Sequence, residues 1–151
     1  MVRNILGVIV GYIAMAVFVF LAFTIVYLVL GADGAFEPGT YKVSTIWIIM
    51  SIVLSLIAAI LGGWICTKKE KNHKAGMILA GIVLVLGIVF ALPALNVSDE
   101  EMNKVRDGSV PNFEAMQNAK QPASSAILNP ILGAVGIFIG TRLKKEKKEN
   151  V

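Results

Sequence analysis

The amino-acid sequence predicts an all-α integral membrane protein, a compact bundle of four transmembrane helices arranged as two helical hairpins. Three observations carry that expectation. The 151-residue chain is 56% hydrophobic and only 16% charged, whereas a soluble domain is about 45–50% apolar and about 25% charged. The apolar residues are gathered into four blocks, each near the roughly 20 residues that about 30 Å of hydrocarbon requires. The charges lie between the blocks, and Lys and Arg crowd onto alternate connections.

The first block runs from about Ile5 to Leu30. It is too long for the roughly 7–15-residue apolar core of a signal peptide, and only Arg3 precedes it. It reads as an uncleaved span, longer than a bilayer needs, that tilts or projects past the headgroups. The second span covers about Ser44 to Ile65, the third Ala75 to Leu95, and the fourth Ser124 to Leu143. None carries a charge in its interior. Residues 1–143 therefore form the transmembrane unit and 144–151 a basic tail.

Between the first two spans, Gly31, Gly34, Pro38 and Gly39 are turn formers. Residues 96–123 form the larger connection. There Ser98 followed by Glu101 matches a capping box and predicts a short helix that Gly108 ends. Pro111 to Lys120 predicts a second, with Phe113 and Met116 on one face. This loop is a structured connector, or else a ligand-binding cap.

Orientation follows from the basic residues. Arg3, Lys68, Lys69, Lys71, Lys74, Arg142, Lys144, Lys145, Lys147 and Lys148 share one side of the four-span plan. Lys42, Lys104, Arg106 and Lys120 lie on the other. The richer side is cytoplasmic, which puts both termini there. The run Arg142, Lys144, Lys145, Lys147 and Lys148 beside the last span is also suited to anionic lipid headgroups.

Small residues recur at helical spacing inside the spans. Gly7, Gly11 and Ala14 share a face in the first, and Ser51, Ser55, Ala58 and Gly62 in the second. Gly76, Ala80, Gly87 and Ala91 do so in the third, and Asn129, Gly133, Gly136 and Gly140 in the fourth. In lipid, helices associate through close backbone approach, which glycine permits best. These stripes predict tight packing within the chain, or a face turned to a partner. Asn129 is the most polar group within a span and precedes Pro130. It either bonds a carbonyl freed by a proline, or lines an outward vestibule with Pro93 and Tyr27.

Several functions are disfavoured. The net charge of +4 comes from residues flanking spans, with no nucleic-acid-binding motif, so nucleic acid is not an expected partner. Cys66 is the one cysteine and His73 the one histidine, too few for a structural metal site or a dithiol pair. No cofactor is expected. A carboxylate-driven exporter lacks its intramembrane acid. An enzyme lacks clustered catalytic groups, since Asp99, Glu100 and Glu101 have no histidine beside them and read as a helix start.

The stretches Gly31-Ala32-Asp33-Gly34-Ala35-Phe36, Ala91-Leu92-Pro93-Ala94-Leu95, Gln121-Pro122-Ala123, Asn129-Pro130 and Gly133-Ala134-Val135-Gly136 give the chain a family likeness. It resembles a set of small four-span membrane proteins of bacteria. The resemblance implies a bacterial inner membrane and supplies no site residue. The expected function is that of a non-catalytic accessory or assembly subunit of a larger membrane complex, with the bilayer and other membrane subunits, or further copies of itself, as partners. The alternative is an oligomeric transporter or channel for a neutral or lipid-like solute, and the third a membrane enzyme.

Overall fold

The computed structural model describes residues 2–68 and 74–143. Among these the secondary structure is helical, with no strand and three isolated β-bridges. Lys69, Lys71, His73 and the tail lysines Lys144, Lys145, Lys147 and Lys148 lie outside the described residues.

Four helices are long and apolar enough to cross a membrane. Helix α1 spans Val2–Ala35 and bends at Gly31, whose φ of 66° is readily adopted only by glycine. The bend explains why the helix continues five residues past the expected Leu30: Ala32–Ala35 form a last turn tipped away from the main axis. Helix α2 spans Thr45–Thr67. Ser44 caps it, its Oγ accepting from Trp47 N at 3.1 Å and donating to Gly34 O at 2.6 Å. Helix α3 spans Lys74–Leu95, with Pro93 in its final turn.

Two short helices follow. In α4, Asp99–Met102, Ser98 Oγ accepts from Glu101 N. Helix α5, Asn112–Asn118, starts after Pro111. Gly108, with φ 68°, sits in the turn between them rather than at the end of α4. Helix α6 spans Ala123–Arg142, with Pro130 in its interior.

α1 and α3 run toward the end that holds the two long connections, here the cap end, and α2 and α6 run away from it. α2 packs between α1 and α6, and α3 packs on α6, so the helices form a ring in the order α1, α2, α6, α3. The α1–α3 edge is the loosest side of that ring.

Glycine makes the tight crossings. A Cβ on Gly7 would stand 2.8 Å from Cys66 O, and one on Gly11 2.9 Å from Gly62 O and 3.1 Å from the Leu79 side chain. Between α2 and α6, a Cβ on Gly63 would strike the Ile137 backbone and one on Gly140 the Ile60 backbone. Gly136 faces Ala59 and Leu56. Between α3 and α6, Gly76 faces Thr141, Gly87 faces Pro130, and Gly133 faces Val83. Ala80 is half-buried against the same core. Gly81 has nothing within 4 Å of its Cβ position. At the basic end Arg142 closes α6 with its guanidinium 4.2 Å from the Phe138 ring centre, and Lys68 stands 4.8 Å from that of Trp64.

Candidate functional site: cap and cleft

The connections 36–44 and 96–122 are tied into one cap. Tyr41 N donates to Lys104 O, Val43 N to Lys120 O, Lys120 N to Tyr41 O, and Arg106 N to Gly39 O. These bonds satisfy backbone groups that two separate loops would leave to solvent. Beneath them lies an apolar cluster of Tyr27, Ala32, Ala35, Phe36, Tyr41, Val43 and Ala115, with Trp47 packed against it. Trp47 meets Phe23 and Tyr27 edge to face, with ring centres 5.6 and 6.2 Å away.

Arg106 is the charged centre of the cap. Its side chain is only 2% exposed, whereas that of its ion-pair partner Asp33, at 2.7 Å, is 96% exposed. Burial is tolerated because the guanidinium also donates to the carbonyls of Thr40 and Gly108 and lies over the Phe36 ring. Two longer tethers fix the cap to α1: Tyr27 Oη donates to Val110 O at 2.6 Å, and Asn112 Nδ2 donates to Thr24 Oγ1 at 3.2 Å. Tyr41 Oη donates to Glu114 Oε1 at 2.8 Å. That bond, and burial after it, raise the phenol above its ordinary value of 10.0.

Under the cap the four long helices part around an open cleft of about 510 Å³. Met15 and Val19 of α1, Ser55 and Ala58 of α2, the segment of α3 from Val83 to Ala94, and Ala126, Asn129, Pro130 and Gly133 of α6 line its walls. Ala119, Lys120 and Gln121 form its rim on the cap side. Toward the basic end it stops where Gly11 meets Gly62 and where Leu79 and Ile137 are fully buried. α1 and α3 touch at that closed end, Gly7 beside Ala75 and Gly11 beside Leu79. The cleft occupies the gap between their other halves.

The polar groups of the cleft differ from those elsewhere in the bundle. Ser51, Thr67, Ser125 and Thr141 each donate to a carbonyl of their own helix or its cap. Ser55, Asn129, Gln121 and the Lys120 ammonium make no side-chain hydrogen bond or ion pair among the described residues. The Asn129 Oδ1 atom is wholly buried and without a partner. Asn129 Nδ2 donates to no carbonyl among the described residues, so the bond that one reading gave it, to a carbonyl freed by a proline or to a neighbouring helix, is not formed there.

Of the residues of the alternative vestibule, Asn129 and Pro93 line the cleft. Tyr27 does not: its hydroxyl is drawn into the cap by Val110. Ser55, Lys120 and Gln121 were not singled out as lining residues. Ser55 was legible through its face shared with Ala58, but nothing local marks Lys120 and Gln121. Arg106 carried no signal of its own either, because its partners lie 2 to 73 residues away. Phe113 and Met116 of α5 are 71% and 52% exposed and belong to neither buried apolar cluster. Among the described residues no three His, Cys, Asp or Glu side chains are placed so that they could hold a metal ion.

Compared with known proteins, the chain matches no family model, no curated protein and no solved structure.

Proposed function

We propose that the chain is an integral protein of a bacterial inner membrane that crosses it four times with both termini in the cytoplasm. In this reading it serves as a non-catalytic accessory or assembly subunit of a larger membrane complex. Its outward faces support membrane residence: α1 alone turns Ile5, Leu6, Ile9, Val10, Ile13 and Val17 outward, and α3 does the same with Ile78, Val85, Val89 and Phe90. Such a surface suits hydrocarbon and not water.

The observation that carries the subunit reading is Tyr12. It lies well inside the apolar stretch of α1, is 42% exposed, and makes no side-chain hydrogen bond among the described residues. A phenol hydroxyl in hydrocarbon seeks an acceptor, and a neighbouring transmembrane helix supplies one. Purification from native membranes in mild detergent, with mass spectrometry of what accompanies the chain, tests this. A stoichiometric membrane partner is expected. Tyr12→Phe is expected to weaken its retention several-fold, matching the roughly 1 kcal/mol of such a bond. A chain that elutes alone, or a partner indifferent to Tyr12→Phe, contradicts the reading.

The cleft favours a second reading, handling of a neutral or lipid-like solute. Its closed floor means that transport requires a second state open toward the basic end, and flux in proteoliposomes tests for one.

A further inference from the structure

We propose that the cleft between α1 and α3 is a binding site for one single-chain anionic glycerolipid, with its head group at Lys120 and Gln121 and its glycerol hydroxyl at Asn129. The proposal rests on the four-span reading and goes beyond it.

Unspent hydrogen bonds mark the cleft. In hydrocarbon a polar group without a partner costs several kcal/mol. Neighbouring hydroxyls on these helices avoid that by bonding backbone carbonyls. Ser55 and Asn129 do not, and they face the same cavity. An amide nitrogen without a partner needs an acceptor, and the oxygen of a ligand hydroxyl provides one. The Asn129 oxygen is enclosed, so the group a ligand in the cleft can reach is the amide nitrogen, which also makes no hydrogen bond among the described residues.

Charge selects the head group. Of the four cations assigned to the cap side, Lys42 pairs with Glu37 at 2.9 Å and Arg106 with Asp33. Lys104 donates to Asn118 Oδ1 and lies over Tyr41. Lys120, at the rim of the cleft, has no partner among the described residues. With the Gln121 amide beside it, it offers a cation and a donor to a phosphate. Asn129 lies six residues into α6 from Ala123, about 9 Å along the helix.

Volume and shape select the tail. At roughly 30 Å³ per methylene-sized group, close to the liquid share of a water molecule, 510 Å³ holds on the order of 17 heavy atoms, the glycerol, its ester and the upper part of one acyl chain. The walls below Asn129 are apolar: Met15, Val19, Ala58 and Val83. The α1–α3 gap leads outward beside Phe90, which is 75% exposed. A chain can therefore enter sideways from a bilayer leaflet without crossing the cap.

The test uses the full-length chain in a non-ionic detergent, titrated with 1-palmitoyl lysophosphatidylglycerol or 1-palmitoyl lysophosphatidylcholine and read by native mass spectrometry. One lysophosphatidylglycerol per chain is expected, held at least about tenfold more tightly than the zwitterionic probe. Asn129→Leu should weaken both probes about tenfold. Lys120→Gln should abolish the preference for the anion, and Ala94→Phe, which fills the cleft, should abolish one-to-one binding. Each variant is checked for a folded bundle by the resistance of Cys66, buried at the α1–α2 crossing, to maleimide. Equal retention by wild type, Asn129→Leu and Ala94→Phe, or multiple lipids without a defined stoichiometry, overturns the site. Failure of the four-span reading has a different signature, release of the chain from membranes without detergent.

Discussion

Arg106 and Asp33 form one ion pair but do not share its burden equally. The guanidinium is enclosed and also satisfies the carbonyls of Thr40 and Gly108, while the carboxylate stands in the open. Arg106→Met should therefore destabilise the cap by about 2 kcal/mol, because charged hydrogen bonds are lost and buried carbonyls are left without donors. Asp33→Asn should cost under about 1 kcal/mol, as exposed ion pairs do. Limited proteolysis of the 96–122 connection reads both, and equal sensitivity of the two variants would refute the asymmetry. Tyr41 adds a pH dependence. Its phenol is raised above 10.0 by the bond to Glu114, so the folded cap keeps a proton that the unfolded chain releases. The stability from this bond is complete below about pH 10 and is lost as pH rises through the folded value. A melt in detergent against pH should show an alkaline decline that Tyr41→Phe makes shallower.

Among the elements, the four long helices were legible because hydropathy over about 20 residues is a local property. The two short helices were legible for the same kind of reason, since Ser98 and Pro111 are local start signals. The continuation of α1 past Gly31 was not, because a glycine beside Asp33 and Gly34 reads as a turn until Ser44 is seen bonding Gly34 O and Ala35 O. The cap was invisible for a similar reason: its bonds join residues such as Tyr41 and Lys120, and Tyr27 and Val110, which no window along the chain brings together. Spacing identified the glycine faces, but it could not rank them. Gly63, outside the stripes read from the sequence, makes one of the closest crossings, while Gly81 makes none. Gly63→Ala and Gly140→Ala should each cost about 2 kcal/mol, since backbone atoms and not flexible side chains stand in the way. Gly81→Ala should be neutral or stabilising by up to about 1 kcal/mol through helix propensity. Thermal unfolding in detergent compares the three, and a Gly140→Ala variant as stable as Gly81→Ala would contradict the crossing.

For the molecule as a whole, sealing and opening are assigned to different halves. The basic half is closed by Gly7, Gly11, Gly63 and Gly140 on neighbouring backbone, and the cap half is held apart around the cleft. Only four of the fourteen basic residues fall on the cap side of the four-span plan. This asymmetry supports the proposed orientation, and with it an outer cleft and an inner seal. Single-cysteine labelling in a Cys66→Ala background tests that account most directly. Spheroplasts carrying Gln121→Cys, Lys148→Cys or Ile137→Cys are exposed to a membrane-impermeant maleimide, with and without permeabilisation. Gln121→Cys is expected to label in intact spheroplasts, Lys148→Cys only after permeabilisation, and Ile137→Cys in neither. Labelling of Lys148→Cys in intact spheroplasts, or protection of Gln121→Cys until they are opened, would contradict it.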